Sequence, residues 1–254
     1  MIHNTKRYYE KRLRKKVGQA ISDYSMINNG DRVLLAFSGG RDSIVLLKIL
    51  SDLKRAAPVE YEIIPVHIST GFERDFERIS LWIKDHLGIE VLEIESGISE
   101  IMKEVSDPDK SPCALCSRLR RGKLYHVAQD MGVSSIALGH HMDDIVETFF
   151  LRCFYTGQIG AMSPSRISND GKNRVIRPMA YCRASMVSEY FNFFGLEPVT
   201  NRCIIRSDSK REMIRDMISD METDIPMVVN SVFASLGNID MKSLGSKGSY
   251  AHPH

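Results

Sequence analysis

Residues 33–43 read Val33-Leu34-Leu35-Ala36-Phe37-Ser38-Gly39-Gly40-Arg41-Asp42-Ser43, and this stretch decides the fold. The run from Val33 to Phe37 is short and almost wholly apolar, as in a strand buried on both faces. A helical pattern then opens at Asp42 and continues through Ile44, Leu47, Leu50 and Leu53. Strand, glycine-rich turn and helix therefore follow one another without a spacer. In an open parallel sheet, ligands bind beyond the carboxyl ends of the strands, where this turn lies. Gly39 and Gly40 let the backbone approach an anion, the first amides of the helix point at it, and Ser38 and Ser43 add hydroxyl donors. Asp42 repels a bare phosphate, so its role there is through Mg²⁺ or by orienting a loop donor. The plainer account is a strand-to-helix turn with Ser43 near a cap. The spacing matches neither the Walker pattern nor Gly-x-Gly-x-x-Gly.

The alternation recurs on either side. Residues 61–67 read as strand, 76–87 as helix, 90–94 as strand, 118–131 as helix, 134–138 as strand and 143–155 as helix. Such repetition predicts an α/β fold built on a doubly wound parallel sheet covered by helices. Upstream, Tyr8, Leu13, Val17, Ile21 and Met26 place an amphipathic helix over 4–28, ending near Asn28-Asn29-Gly30. Downstream, 156–172 is rich in Gly, Ser, Asn and Pro and reads as a loop. A short strand at 174–176 and helices near 184–194, 210–221 and 226–236 follow. The expected organisation is a basic N-terminal helix (1–30), the nucleotide-binding α/β domain (31–182), a helical part (183–244) and a disordered tail (245–254).

Of 254 residues, 43% are hydrophobic and 26% charged, and no apolar run approaches the roughly 20 residues that span a bilayer. No membrane role is expected on that pattern, and the polar, basic residues 1–16 do not resemble a secretory leader, so a cytoplasmic location is expected. The net charge of +2 hides a crowd of Lys6, Arg7, Lys11, Arg12, Arg14, Lys15 and Lys16.

The five cysteines are an odd number in a chain without an export signal, which favours metal binding or catalysis over disulfides. Cys113-Ala114-Leu115-Cys116 can share one metal centre; zinc, an iron–sulfur half-site and a redox pair all fit this spacing. Any further ligand must come from Cys153, Cys182, Cys203, a histidine or a carboxylate. Cys153 lies in an apolar helix and reads as a buried thiol, whereas Cys203 sits between Arg202 and Arg206, which favour thiolate. Arg118, Arg120, Arg121 and Lys123 follow directly; such a run is ordinarily a solvated helix face, and beside an anion site it also suits RNA phosphates. Gly139-His140-His141-Met142-Asp143-Asp144 opens the helix after the 134–138 strand, again at the carboxyl edge. Asp143 and Asp144 there serve either as helix caps or as Mg²⁺ ligands, and His140 as a positioning group.

The motif Ser38–Ser43 resembles the SGGxDS signature of the PP-loop ATP pyrophosphatases, which cleave ATP to AMP and pyrophosphate. Most members carry Lys where Arg41 stands. Together with PCALCSRLRRGKLY, GHHMDD, IRPMAYCR and the Cys203 loop, the motif resembles the tRNA 2-thiocytidine synthetases from about Lys11 to Leu236. The resemblance implies an ATP-dependent tRNA sulfurtransferase acting on a cytidine at position 32 of the anticodon loop. It implies ATP at Ser38–Ser43, Gly139, His140 and Asp143, with Mg²⁺ on Asp42, Asp143 and Asp144. It also implies a [4Fe–4S] cluster on Cys113, Cys116 and Cys203 with one iron open. That family often has two thiols in the last loop, where Asn201-Arg202-Cys203 keeps one. Catalytic work then falls to Asp42, Asp144, Arg120 and the three cysteines. The partners implied are tRNA and a cysteine-desulfurase-type or sulfide sulfur source, and homodimer formation is compatible with the resemblance. Competing expectations are a tRNA 2-thiouridine synthetase, an amide- or lysidine-forming PP-loop synthetase with structural zinc, and a nucleotide-sensing RNA-binding module without turnover.

Overall fold

The computed structural model describes residues 2–104, 112–201 and 209–243. In chain order the first half comprises α1 (Ile2–Asp23), β1 (Asp31–Ala36), α2 (Arg41–Lys54), β2 (Tyr61–Ser69), β3 (Glu73–Arg74), α3 (Phe76–Leu87), β4 (Leu92–Glu95) and α4 (Ile98–Glu104). The second half comprises α5 (Pro112–Asp130), β5 (Ser135–Ala137), α6 (Met142–Thr156), β6 (Ser165–Ile167), β7 (Arg174–Ile176), α7 (Ala184–Asn192), β8 (Thr200–Asn201), α8 (Ser209–Asp224) and α9 (Val228–Ser235).

β1 pairs in parallel with β2 on one side and β5 on the other, giving the sheet order β4-β2-β1-β5-β7-β6. Within this sheet, among the described residues, only β6 runs antiparallel, against β7 at the edge, while β3 and β8 form a separate antiparallel pair. The chain leaves β1 toward β2 and β4, then returns to lay β5 and β7 on the opposite side. The carboxyl ends of β1 and β5 thus bound a topological switch point, which is where doubly wound sheets bind ligands.

The period-two alternation of β1 explains why its apolar run is unbroken. Val33 and Leu35 face a cluster built from α1, α2, α3 and α7, whereas Leu34 faces Val66, Ile136, Leu124 and Val127 on the α5 side. Each fully buried Leu or Ile here contributes about 1.5–3 kcal/mol. Leu13 and Val17 of α1, and Val187 and Tyr190 of α7, share one core with β1 and α2. The segments expected as 1–30 and the start of 183–244 are therefore packed into the central domain. A third cluster joins Met142 and Val146 of α6 to Ile214 and Ile218 of α8 and Val229 of α9.

Several expected boundaries shift for local reasons. α1 stops at Asp23, short of Gly30, because Met26 N–H donates to Ile21 O and Ser25 N–H to Ser22 O, a Schellman closure with Ser25 at φ 45°. No glycine marks that stop. α5 begins at Pro112, so the Cys-x-x-Cys lies inside the helix's first turns and not in a loop before it; proline suits the first helical position because its missing N–H would be unbonded anyway. β6 occupies part of the expected 156–172 loop, held by pairing with β7 that no local pattern announces. The expected tail, 245–254, lies outside the described residues.

His67 is fully buried, stacked on Phe76 with centroids 3.7 Å apart, and its Nδ1 donates to Phe37 O. Its Nε2 has no partner among the described residues, so protonation would strand a charge, and burial lowers its pKa from the ordinary 6.5. The unfolded chain binds a proton below that value while the folded state refuses it, so stability is full above pH 6.5 and falls as pH drops. We predict that His67→Phe keeps the stack, costs within about 1 kcal/mol at pH 8, and flattens the acid limb. Urea midpoints at pH 8 and 5 test this; parallel losses in wild type and variant would reject it.

Candidate functional site

The cradle starts where β1 ends. Phe37 N–H still donates to Val66 O, after which Ser38 leaves the sheet and Gly39 takes φ +72°. A side chain at Gly39 would meet Val199 Cγ2 at 2.4 Å, and only glycine adopts this φ without strain, so the turn is closed to substitution on two counts. Gly40 is the N-cap of α2 and supplies no side-chain cap, leaving the first amides directed outward at the positive end of the helix dipole. Ser43 Oγ donates to Gly40 O at 2.8 Å and lies 3.2 Å from Ser38 Oγ, which in turn accepts from Gly40 N–H. The hydroxyls therefore brace the loop from within. Arg41 turns away to donate to Ser188 Oγ of α7 at 2.9 Å, so its fork ties the loop to the helix beside it. Asp42 Oδ1 is buried, lies 3.6 Å from Arg41 Nε, and accepts no hydrogen bond among the described residues.

Across the switch point, Gly139 follows β5 and packs on the first turn of α2. A Cβ there would stand 3.3 Å from Asp42 C and Ser43 N, backbone atoms with little room to yield. Ser38, Asp42, Ser43, Gly139, His140 and Arg120 line one cavity of about 360 Å³ between the two loops. A second, of about 490 Å³, is reached from the other side of Asp42 and is walled by Asp143, Asp144, Glu147 and Arg183.

The adjacent carboxylates have different lives. Asp143 uses both oxygens, accepting from Arg183 Nε at 3.0 Å and Ala184 N–H at 2.7 Å, and so anchors the start of α7. Asp144 accepts from His141 N–H at 3.0 Å while its own N–H donates to His141 Nδ1, a capping box that starts α6. Its Oδ1 faces Arg211 at 3.9 Å. Among the described residues no three His, Cys, Asp or Glu side chains stand together as a metal site. Asp42 with its unbonded oxygen, and Asp144, fit a cation whose remaining ligands are phosphate oxygens and water, the usual mode for Mg²⁺.

His140 lies in the same wall with its Nδ1 accepting from Arg177 Nε at 3.2 Å. Burial pushes its pKa down to about 4, so the ring is neutral at physiological pH and carries its single proton on Nε2. Arg177 itself directly follows β7 and was not singled out beforehand. Its position at a carboxyl strand end was the available signal. Glu147, also missed, is buried in α6 and accepts from Arg211 and Arg215, clamping α8 onto α6.

On α5, Ser117, Arg120, Arg121 and Leu124 line the nucleotide-side cavity, while Arg118 faces solvent. Arg120 and Arg121 are thus separated from Arg118 by the direction they face. Cys113 and Cys116 stand three residues apart in the first turns of the same helix. Cys116 is half-buried. Cys203 lies outside the described residues. Cys182 is fully buried and burial pushes its thiol up to about 12, which makes it a poor ligand, and Cys153 sits on α6.

Residues 9–222 match the PP-loop domain family. The chain is 42% identical over 230 residues to the tRNA-cytidine(32) 2-sulfurtransferase of Shewanella denitrificans, covering 90% of this chain and 71% of that one. It is 39% identical over 243 residues to the enzyme of the same name from Pseudomonas fluorescens, covering 94% and 87%. Among solved structures, the U34-tRNA thiolase NcsA from Methanococcus maripaludis with its [4Fe–4S] cluster superposes with a TM-score of 0.75 over 97% of this chain and 84% of that one, at 18% identity. That likeness extends to the fold. With an SGGxDS-type cradle at the switch point and relatives at about this identity over most of its length, the chain belongs to the PP-loop family and, within it, to the tRNA-cytidine(32) 2-sulfurtransferases.

Proposed function

We propose that this protein uses ATP to exchange the C2 oxygen of a cytidine in a tRNA anticodon loop for sulfur. The observation that carries the reading is the crevice between the carboxyl ends of β1 and β5, where the unplugged start of α2, Asp42 and Arg120 face one cavity. The α2 amides and loop backbone hold the pyrophosphate end of ATP, and Asp42 and Asp144 would hold a Mg²⁺, which would supply positive charge against the departing pyrophosphate. The C2 oxygen attacks the α-phosphorus and joins it; pyrophosphate departs. Sulfur then displaces AMP, which carries away the original oxygen, leaving a C2–sulfur bond. Neutral His140 presents Nε2–H as a hydrogen-bond donor, and Arg120 balances the negative charge of the adenylate.

Cys113 and Cys116 in the first turns of α5 would hold, together with Cys203, a [4Fe–4S] cluster, which when bound supplies an open iron that carries sulfide. Sulfur reaches the protein from a cysteine-desulfurase-type donor or free sulfide. Helix α5 contributes to both halves of the reaction, since its first turns hold thiols and its next turn holds Arg120.

Anaerobically prepared protein should release pyrophosphate from ATP only with tRNA present, and form 2-thiocytidine. Asp42→Asn should lower pyrophosphate release by about 10²–10³-fold while leaving iron content and folding unchanged. Release at the wild-type rate would sink the metal role of Asp42. Cys116→Ala and Cys203→Ala should lose the visible absorbance and the acid-labile sulfide, whereas Cys182→Ser should keep both; full iron binding by the Cys203 variant would exclude it as a ligand.

The basic face predicts a second contrast. Arg118→Ala should weaken all tRNAs alike and lower the slope of log affinity against log salt by roughly one unit. Arg120→Ala should instead lose turnover by about 10²-fold with affinity little changed. Filter binding across a salt series beside single-turnover thiolation separates them, and equal behaviour of the two variants would reject the division.

A further inference from the structure

Arg177 is only 6% exposed, yet no carboxylate pairs with it among the described residues. Buried guanidinium groups are ordinarily neutralised, because desolvating an unpaired charge is costly. Here the two acceptors are neutral: His140 Nδ1 takes Nε–H at 3.2 Å and Ser163 O takes an Nη1 proton at 2.6 Å. The backbone is fixed as well, with Arg177 N–H donating to Pro164 O at 2.8 Å. Those bonds orient the fork without neutralising it, and Nη2 makes no hydrogen bond among the described residues.

The surroundings increase the imbalance. Arg177 opens on a cavity of about 950 Å³ whose lining, among the described residues, includes Arg121, Arg166, Lys210 and Arg211 against one carboxylate, Asp144. Burial lowers the pKa of Arg177 most, and Arg166 and Arg121 lower it further as like charges do, while Tyr125 and Asp144 act the other way. Arg211 is partly committed to Glu147, and Lys210 lies over the Tyr155 ring. A buried cation fixed by neutral groups, among further cations, is a built anion site.

We propose that Arg177 receives a backbone phosphate of the RNA next to the target nucleotide, so that the cavity it floors is the seat of the RNA strand beside the ATP cradle. This assignment rests on the tRNA-thiolating reading above. An ATP phosphate is the rival oxyanion, and the lining argues against it. The cavity takes no residue from the Ser38–Ser43 loop or the first turn of α2, the elements built for pyrophosphate. It meets the nucleotide cavity along a shared wall of Ser117, Arg121, Tyr125, Leu138, His140 and Asp144. Its size exceeds what a phosphate alone needs, and Tyr125 and Met162 give it apolar surface on which a flanking base can lie. His140 links the two cavities, so seating a phosphate on Arg177 also sets the ring whose Nε2–H faces the reacting atoms.

The test is binding of an RNA hairpin with the target cytidine in its loop, measured by fluorescence anisotropy on full-length protein, beside ATP affinity by calorimetry. Arg177→Gln should weaken the hairpin about ten-fold and leave ATP affinity within two-fold. Arg177→Lys should recover part of the loss. Because Arg177 is buried, a second arm leaves the protein intact: methylphosphonate hairpins, each uncharged at one linkage around the cytidine. One linkage should cost wild type about ten-fold and cost Arg177→Gln nothing further. Exposed Arg166→Gln provides an independent check, and should lower the salt slope by roughly one unit. Weaker ATP with unchanged hairpin affinity in Arg177→Gln would assign the site to the nucleotide and overturn the proposal. No sensitive linkage in wild type would do the same. Failure of wild type to bind the hairpin at all would instead remove the parent reading.

Discussion

The arrangement depends on how closely two loops approach across the switch point. β1 and β5 are hydrogen-bonded neighbours, yet their chains leave in opposite directions, so a gap opens between the residues that follow them. Gly139 lets the second loop rest on the backbone of Asp42 and Ser43 with no side chain between. Asp42, Arg120, His140 and Asp144 share one small cavity only because that contact is close. A side chain at Gly139 would push directly on the first turn of α2, whose amides must be aimed within a fraction of an ångström for electrostatic stabilisation to count.

Charge is organised by a division among the arginines. Arg183, Arg211 and Arg215 are paired with Asp143, Glu147 and Glu222, and those pairs fasten α7 and α8 to α6. Breaking such a pair at buried Glu147 would cost about 3–5 kcal/mol, since a charge would be left uncompensated. Arg120, Arg121 and Arg166 enter no such pair among the described residues and line the cavities instead. The first group holds the helical part in place. The second creates a field that favours a polyanion.

The two acidic residues at the start of α6 show how one motif divides. Asp143 is consumed by Arg183 and the start of α7, so it fixes the position of α7, on which Arg41 also leans through Ser188. Asp144 keeps one oxygen toward the cavities while its other closes the capping box. Adjacent residues in sequence thus face different partners because successive side chains in a helix point about 100° apart.

The strand, glycine turn and helix around Ser38–Ser43, the parallel sheet and the cradle were legible in the sequence, because each rests on local periodicity and on glycine's backbone freedom. The end of α1 was not, since its stop is a Schellman closure on Ser25 with no glycine to mark it. β6 was not, since its pairing with β7 is tertiary. Nor were the roles of Arg177, Glu147 and Asp143, whose partners lie tens of residues away in the chain and meet only when α6, α7, α8 and β7 pack. Local propensity records what one segment prefers; which charges end up buried together, and which are left without a partner, is decided by packing alone.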